Sequence, residues 1–300
     1  MSYIYYPGCS LKSTGRAYEE SLLTVFDALD VPLKELEDWN CCGATAYMSI
    51  SELKAFALSA RNFALAERQN GEEDYAEMVV PCAACYLGLN KAHRYLAEHP
   101  ELRETIDRAL EAGGLKYNDR VHVRHPLDVL INDLAPDKIK ALVKRPLEGL
   151  KVACYYGCQL VRPYADFDDQ HDPQTMDKIV KMLGGEVVDW PLKTRCCGGS
   201  LTGIVQDVGL RLSYILLAEA RKRGCDLIVT ACPLCQFNLE CYQSRISGIY
   251  GHKINIPVIY FTQLMGHAFG LSDEKLGLKR VFVSPSRAFS KAEGGQHVHG

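Results

Sequence analysis

Short apolar runs rich in aromatic residues, separated by long stretches of helical periodicity, set the pattern of this chain. Residues 2–6 and 150–156 are two such runs, composed as buried strands are. Ala76-Glu77-Met78-Val79-Val80 and Leu227-Ile228-Val229-Thr230 form a second pair, and Val121-His122-Val123 with Ile256-Pro257-Val258-Ile259 a third. Between them Leu53, Phe56, Ala57, Ala60, Phe63 and Ala64 recur at helical spacing, with Ser49 and Glu52 placed for a capping box. A counterpart helix from about Val205 to Arg223 carries Leu210, Tyr214, Leu217 and Ala218 on one face and stops at Gly224. Strand alternating with helix predicts parallel α/β units.

The cysteines show that this pattern is written twice. Cys9, Cys41-Cys42-Gly43 and Cys82-Ala83-Ala84-Cys85 recur as Cys158, Cys196-Cys197-Gly198 and Cys232-Pro233-Leu234-Cys235, at offsets of 149, 155 and 150 positions. Flanking residues agree, since Tyr5-Tyr6-Pro7-Gly8-Cys9 resembles Cys154-Tyr155-Tyr156-Gly157-Cys158, and Trp39 and Trp190 precede the paired cysteines. The break falls near Pro146–Gly149, which predicts domains at 1–148 and 149–283 and a loosely held tail at 284–300. Cys9, Cys82, Cys158 and Cys232 each follow the carboxyl end of an expected strand, where open α/β sheets bind ligands. The expected fold is therefore α/β, with two tandem duplicated Rossmann-like domains built on parallel sheets. Its metal sites would lie at the carboxyl ends of strands and face one another across the domain interface.

Composition narrows the chemistry. The chain has 300 residues, 47% hydrophobic and 24% charged, with a net charge of −3, so it is globular and shows no bias toward nucleic acid or an anionic membrane. No apolar stretch approaches the roughly 18 residues that span a bilayer, and Met1 to Pro7 lacks the basic and apolar regions of a secretory signal. A cytoplasmic location without direct membrane insertion is expected. Thirteen cysteines, an odd number in a chain with an ample core, point to metal binding or thiol chemistry rather than a disulfide framework. The two Cys-x-x-Cys pairs alone could hold one zinc ion as a structural scaffold. That leaves Cys9, Cys158 and both Cys-Cys pairs without a role, and neighbouring thiolates reach two irons of a cluster more easily than one tetrahedral ion. Cys225 and Cys241 lack counterparts and read as packing residues; Cys154 takes the place of Tyr5 yet stands close enough to Cys158 to rival it.

The spacing, with 31 residues between Cys9 and Cys41 and 38 between Gly43 and Cys82, resembles the cysteine-rich CCG domain. Two copies without a ferredoxin segment resemble the B-type, catalytic subunit of heterodisulfide reductase, from Tyr5 to about Leu271. Strings such as Asp189-Trp190-Pro191-Leu192-Lys193-Thr194-Arg195-Cys196-Cys197-Gly198 carry the likeness. The resemblance implies two noncubane [4Fe–4S] clusters, one on Cys9, Cys41, Cys42, Cys82 and Cys85, the other on Cys158, Cys196, Cys197, Cys232 and Cys235. It also implies reductive cleavage of the coenzyme M–coenzyme B disulfide. The partners it implies are a C-type iron–sulfur subunit, as ferredoxin-like electron donor, beside an A-type, flavin-containing subunit in soluble complexes or a membrane cytochrome in others.

The coenzymes of that disulfide carry a sulfonate and a phosphate, so cations beside the cysteines are candidate anchors: Lys12, Arg16, Arg162, Lys193 and Arg195, with Lys193 and Arg195 foremost. The same residues also suit a solvated face or compensation of cluster charge. His122, His125, His297 and His299 are given no catalytic role. No GxGxxG fingerprint, P-loop or ferredoxin motif is present, so electrons would come from a partner. Related CCG modules also serve glycolate, succinate, lactate and sulfur-oxidising complexes, which remain the competing redox reading.

Overall fold

The computed structural model describes residues 3–44, 46–71 and 74–294. Its eight described strands are β1 Tyr3–Tyr5, β2 Leu33–Glu35, β3 Ala76–Val79, β4 Val121–Arg124, β5 Lys151–Tyr155, β6 Glu186–Val187, β7 Leu227–Thr230 and β8 Val258–Tyr260. They form two four-stranded sheets, ordered β2-β1-β3-β4 and β6-β5-β7-β8, with every pairing parallel. The expected α/β class and duplicated parallel sheets are what the chain adopts. Only β2 and β6 escape the hydrophobic pattern. They are edge strands, two or three residues long, and their side chains are mostly exposed.

Strand order reverses between β1 and β3, and again between β5 and β7. The chain turns away on opposite sides of the sheet there and leaves a crevice at the strand ends. Cys9 and Cys82 flank the first crevice, Cys158 and Cys232 the second. Register repeats the arrangement in space: Tyr5 pairs with Val79 as Cys154 pairs with Val229. Each crevice is roofed by a helix beginning at Cys-x-x-Cys, Ala83–Glu98 or Pro233–Cys241, and supported by a long helix, Glu52–Asn70 or Gln206–Lys222.

Three details differ from the sequence reading. Ser51, not Ser49, caps the helix Glu52–Asn70, its Oγ accepting from Lys54 N. A separate short helix, Ala46–Ile50, absorbs Ser49. The segment after Ser284 is not loose throughout, because Ser286–Gly294 is helical and buries Ala288, Phe289 and Ala292. Phe289 stacks on His267 at 3.7 Å between ring centroids, which gives this helix an anchor that composition does not show. His297 and His299 lie outside the described residues.

The halves are sealed by aromatic and polar contacts. Helix Arg16–Ala28 packs on helix Phe261–Ala268, with the Ser21 and Thr262 hydroxyls 2.7 Å apart and Tyr18 stacked on Tyr260. On the other flank Phe167 stacks on His125. No helix among the described residues is long and apolar enough to cross a membrane.

Candidate metal centres

Each crevice gathers five thiols from three parts of the chain. In the first, Cys9 and Cys41 stand 3.9 Å apart and Cys42 and Cys85 3.1 Å, with Cys82 hydrogen-bonded to Cys85. In the second, Cys197 and Cys235 are 3.5 Å apart, Cys158 bonds Cys196, and Cys232 bonds Cys235. Hydrogen bonds link the thiols into short chains, and among the described residues no three His, Cys, Asp or Glu side chains are set around one ion position. A purely thiol donor set of this size fits an iron–sulfur cluster by its chemistry.

Both sites are shaped by the same devices. Gly8 and Gly157, at φ +65° and +71°, turn the chain from strand to cysteine, and a Cβ on either would stand 3.0 Å from the Sγ of Cys85 or Cys235. Tyr6 and Tyr155, both fully buried, donate to the carbonyl of the residue before the cysteine pair, Asn40 at 2.8 Å and Arg195 at 2.6 Å. Buried Ser59 and Ser213 reach from the long helices to the carbonyls of Cys42 and Cys197, at 3.1 and 2.8 Å. A Cβ on Gly198 would lie 2.9 Å from the Gly209 backbone, so the third letter of Cys-Cys-Gly is a packing requirement. Sequence reasoning misses these tyrosines and serines. A signal is there, because each pair recurs at nearly the offset of the cysteines it supports.

Hydrogen bonding among the thiols splits their acidities. The Cys42 and Cys9 thiols lower Cys41, and the Cys158 thiol lowers Cys196 to about 6. The Cys85 thiol lowers Cys82 to about 7, helped by the N–H groups of Cys85 and Ala84 at the helix start, and the Cys235 thiol lowers Cys197 to about 7. Their donors Cys9, Cys42, Cys85, Cys158 and Cys235 are raised correspondingly. In both sites hydrogen bonding thus favours the thiolate, the form metal ligation needs, at some of the cysteines.

Cys154 stands apart from these sets. It is fully buried, and after burial itself Asp177 is the main influence raising its pKa. The structure brings Cys158, and not Cys154, to Cys196. Cys225 and Cys241 lie away from both sites, each raised by burial. His122 pairs with Glu77 at 2.7 Å. His125 is fully buried, accepting from Leu127 N and donating to Pro81 O.

The five cations fare differently. Lys193 is only 5% exposed, held at 2.8 Å by both Asp172 and Asp177 and at 3.0 Å by Pro173 O. It is a buried structural cation, and sequence could not show the two carboxylates that claim it. Lys12 lies between Glu19 and Glu35, at 2.6 and 2.8 Å, and Arg16 pairs with Glu20 at 3.2 Å. Arg162 donates to Thr194 O, and its charge contributes to lowering Cys196. Arg195 is exposed beside Cys196. A cavity of about 260 Å³ is lined by Cys158, Cys196, Cys197, Cys232 and Cys235, and also by Ala83 of the first half. The cavity at the second thiol set thus reaches Ala83, the residue after Cys82.

Known proteins are similar to the chain in sequence. The chain is 31% identical over 287 residues, 95% of its length and 98% of the relative's, to the 8-methylmenaquinol:fumarate reductase membrane anchor subunit of Wolinella succinogenes. It is 30% identical over 279 residues, 91% of each chain, to the B-type subunit of the ferredoxin/F420H2-dependent CoB-CoM heterodisulfide reductase of Methanosarcina acetivorans. In fold it resembles a hypothetical protein from Helicobacter pylori at a TM-score of 0.75 and 16% identity, covering 94% of this chain and 52% of that one, so it spans about half of that protein. Residues 3–90 and 152–240 both match the family described as Cysteine-rich domain, CCG, and the chain belongs to that family as a two-copy member.

Proposed function

We propose that this chain is the iron–sulfur subunit of a reductase complex and cleaves a disulfide between two metal centres. The first centre would use Cys9, Cys41, Cys42, Cys82 and Cys85, the second Cys158, Cys196, Cys197, Cys232 and Cys235, each as a noncubane [4Fe–4S] cluster. The observation that carries the reading is the pair of five-thiol sets on equivalent strand ends of two halves that meet at one interface.

Bound clusters supply two electron carriers, matching the two electrons that cleave one disulfide bond into two thiols; the two protons come from water. The chain's own part is positional. The glycine turns and the Tyr6 and Tyr155 bonds fix the cysteine loops, and buried aromatics keep water from the space behind them. Arg195, with Arg162 behind it, places positive charge where one arm of an anionic disulfide would lie. We assign the coenzyme M–coenzyme B disulfide as substrate, as in the Methanosarcina relative's name. The electrons then arrive through the C-type iron–sulfur subunit from the A-type, flavin-containing one.

The Wolinella relative supports a second reading, in which the same two centres pass electrons within a quinol–fumarate reductase and no disulfide is cleaved. Anaerobic reconstitution with iron and sulfide separates the cases. Both redox readings expect about eight irons per chain, halved by Cys-to-Ser changes within one set. A zinc-only protein removes both. Turnover of the disulfide by reduced dye supports the first, and its absence in iron-replete protein with the partner subunits present supports the second.

A further inference from the structure

The two flanks of the interface are related by the repeat but differ in chemistry. Tyr18 and Phe167 are 149 positions apart, as are Cys9 and Cys158. Register likewise matches Tyr260 to His125, since Val79 pairs with Arg124 and Val229 with Ile259, the residues just before them. Each flank is thus one aromatic ring from one half stacked on a ring at the end of the other half's last strand. Phe167 lies on His125 at 5.8 Å and 5°, Tyr18 on Tyr260 at 4.4 Å and 5°.

On the first of these flanks every polar group is satisfied, because His125 bonds Leu127 N and Pro81 O and phenylalanine has nothing to satisfy. On the other flank two hydroxyls are buried with no partner among the described residues. Tyr18 is 0% exposed and Tyr260 1%. Gln263 Oε1 accepts from the Tyr260 backbone N–H, which leaves the phenol hydroxyl itself without an acceptor. A buried donor without an acceptor is costly, and phenylalanine at the equivalent position of Tyr18 shows that stacking alone does not require a hydroxyl.

What the hydroxyls share is their neighbourhood. Tyr260 pairs in register with Thr230, two residues before Cys232, and Gly15 in the turn leading to Tyr18 packs on Pro233 inside the second Cys-x-x-Cys. Both hydroxyls feel Cys82 from one half and Cys232 from the other. We propose that Tyr18 and Tyr260 are a donor pair for sulfur anions in the space between the two thiol sets. This rests on the reading of the sites given above. The phenols stay protonated and each gives a charge-assisted O–H···S bond, strengthened by the absence of water. Two sources of sulfur anion fit, the cluster sulfurs and the thiolates released from the disulfide.

The test uses Tyr18→Phe and Tyr260→Phe in the full chain, metal-free and reconstituted, beside wild type. The metal-free variants should be as stable as wild type or more so, because no bond within the protein is lost. Reconstituted variants should keep full iron content. If the donors serve cluster sulfur, the midpoint potential of at least one centre falls in EPR-monitored titration without substrate. If they serve product thiolate, potentials hold and turnover at saturating disulfide drops several-fold while KM changes little. Destabilised metal-free variants would overturn the proposal, since they would show that the hydroxyls have protein partners. So would loaded variants with unchanged potentials and unchanged turnover. A wild-type chain that takes up no iron and sulfide refutes instead the site reading on which the proposal stands.

Discussion

Lys193 is one of the two cations that sequence favours as a substrate anchor, and its surroundings predict a different phenotype. Its ammonium is buried between Asp172 and Asp177, and Asp177, itself 2% exposed, also accepts from Tyr156 Oη at 2.6 Å. Lys193→Met would leave the Asp177 carboxylate buried with only the neutral donors Tyr156 and Cys154, while Asp172, largely exposed, would return to water. Removing one partner of a buried pair costs about 3–5 kcal/mol. For a cooperative unit of this size that lowers Tm by on the order of 10 °C. Asp177→Asn in the same chain removes the stranded charge and should restore much of the loss, a coupling that thermal unfolding of the four proteins measures. Arg195→Ala is the complementary control, expected to keep wild-type Tm and to raise KM for an anionic disulfide a few-fold. A Lys193→Met protein with unchanged Tm and a raised KM would refute the assignment of Lys193 as a structural cation.

Cys158→Ser should lower the iron content of the second centre in reconstituted protein, whereas Cys154→Ala should leave it unchanged and cost stability through the cavity it opens. Gly157→Ala places a Cβ 3.0 Å from Cys235 Sγ at φ +71°, so it should cost about 1–2 kcal/mol in thermal unfolding and impair iron uptake at that centre alone. Asn238, buried on the roof of the second site, donates to Cys197 Sγ at 3.5 Å, where the first half has Gly88. Asn238→Ala should therefore lower the potential of one centre and leave the other in place, read by EPR titration. His125 is held neutral by burial, its pKa lowered to about 3 against roughly 6.5 when unfolded. The unfolded chain then binds the extra proton between those values, so stability is full above about 6.5 and falls as pH drops. The loss is about 2 kcal/mol by pH 5, and His125→Asn should flatten that slope in denaturant titrations.

The duplicated α/β fold was legible because buried parallel strands leave continuous apolar runs and because ten cysteines repeat in register. The edge strands β2 and β6 were not, since two or three half-polar residues carry no period. The residues that position the thiols were legible only in part. Tyr6 and Tyr155 stand inside the strings that flank Cys9 and Cys158, but the carbonyls they bond lie 34 and 40 positions away. Charge was the least legible feature. Lys193 and Arg195 are two residues apart and alike in sequence, yet one is buried between carboxylates contributed by residues 172 and 177 and the other is exposed. Side chains at neighbouring positions on an irregular loop point into different environments, and only the fold decides which cation meets the core.

The two halves also diverge where a duplicated scaffold has no structural reason to. The scaffold keeps the glycine turns, the tyrosine bonds and the serine bonds in both copies, which shows what holding five thiols requires. Where the copies differ, as at Gly88 and Asn238 or at the flanks Phe167–His125 and Tyr18–Tyr260, the difference sits beside the thiols and involves hydrogen-bond donors. A device that only passed electrons symmetrically would gain nothing from such donors on one side. A centre pair that sends two unlike sulfurs to two places does, because each product anion meets a different set of donors. The asymmetry therefore favours cleavage of an unsymmetrical substrate over simple relay, and Asn238→Ala and Tyr18→Phe decide it: potentials equal in wild type and unmoved in both variants, with no turnover of the disulfide in any of the three proteins, would leave relay as the better account.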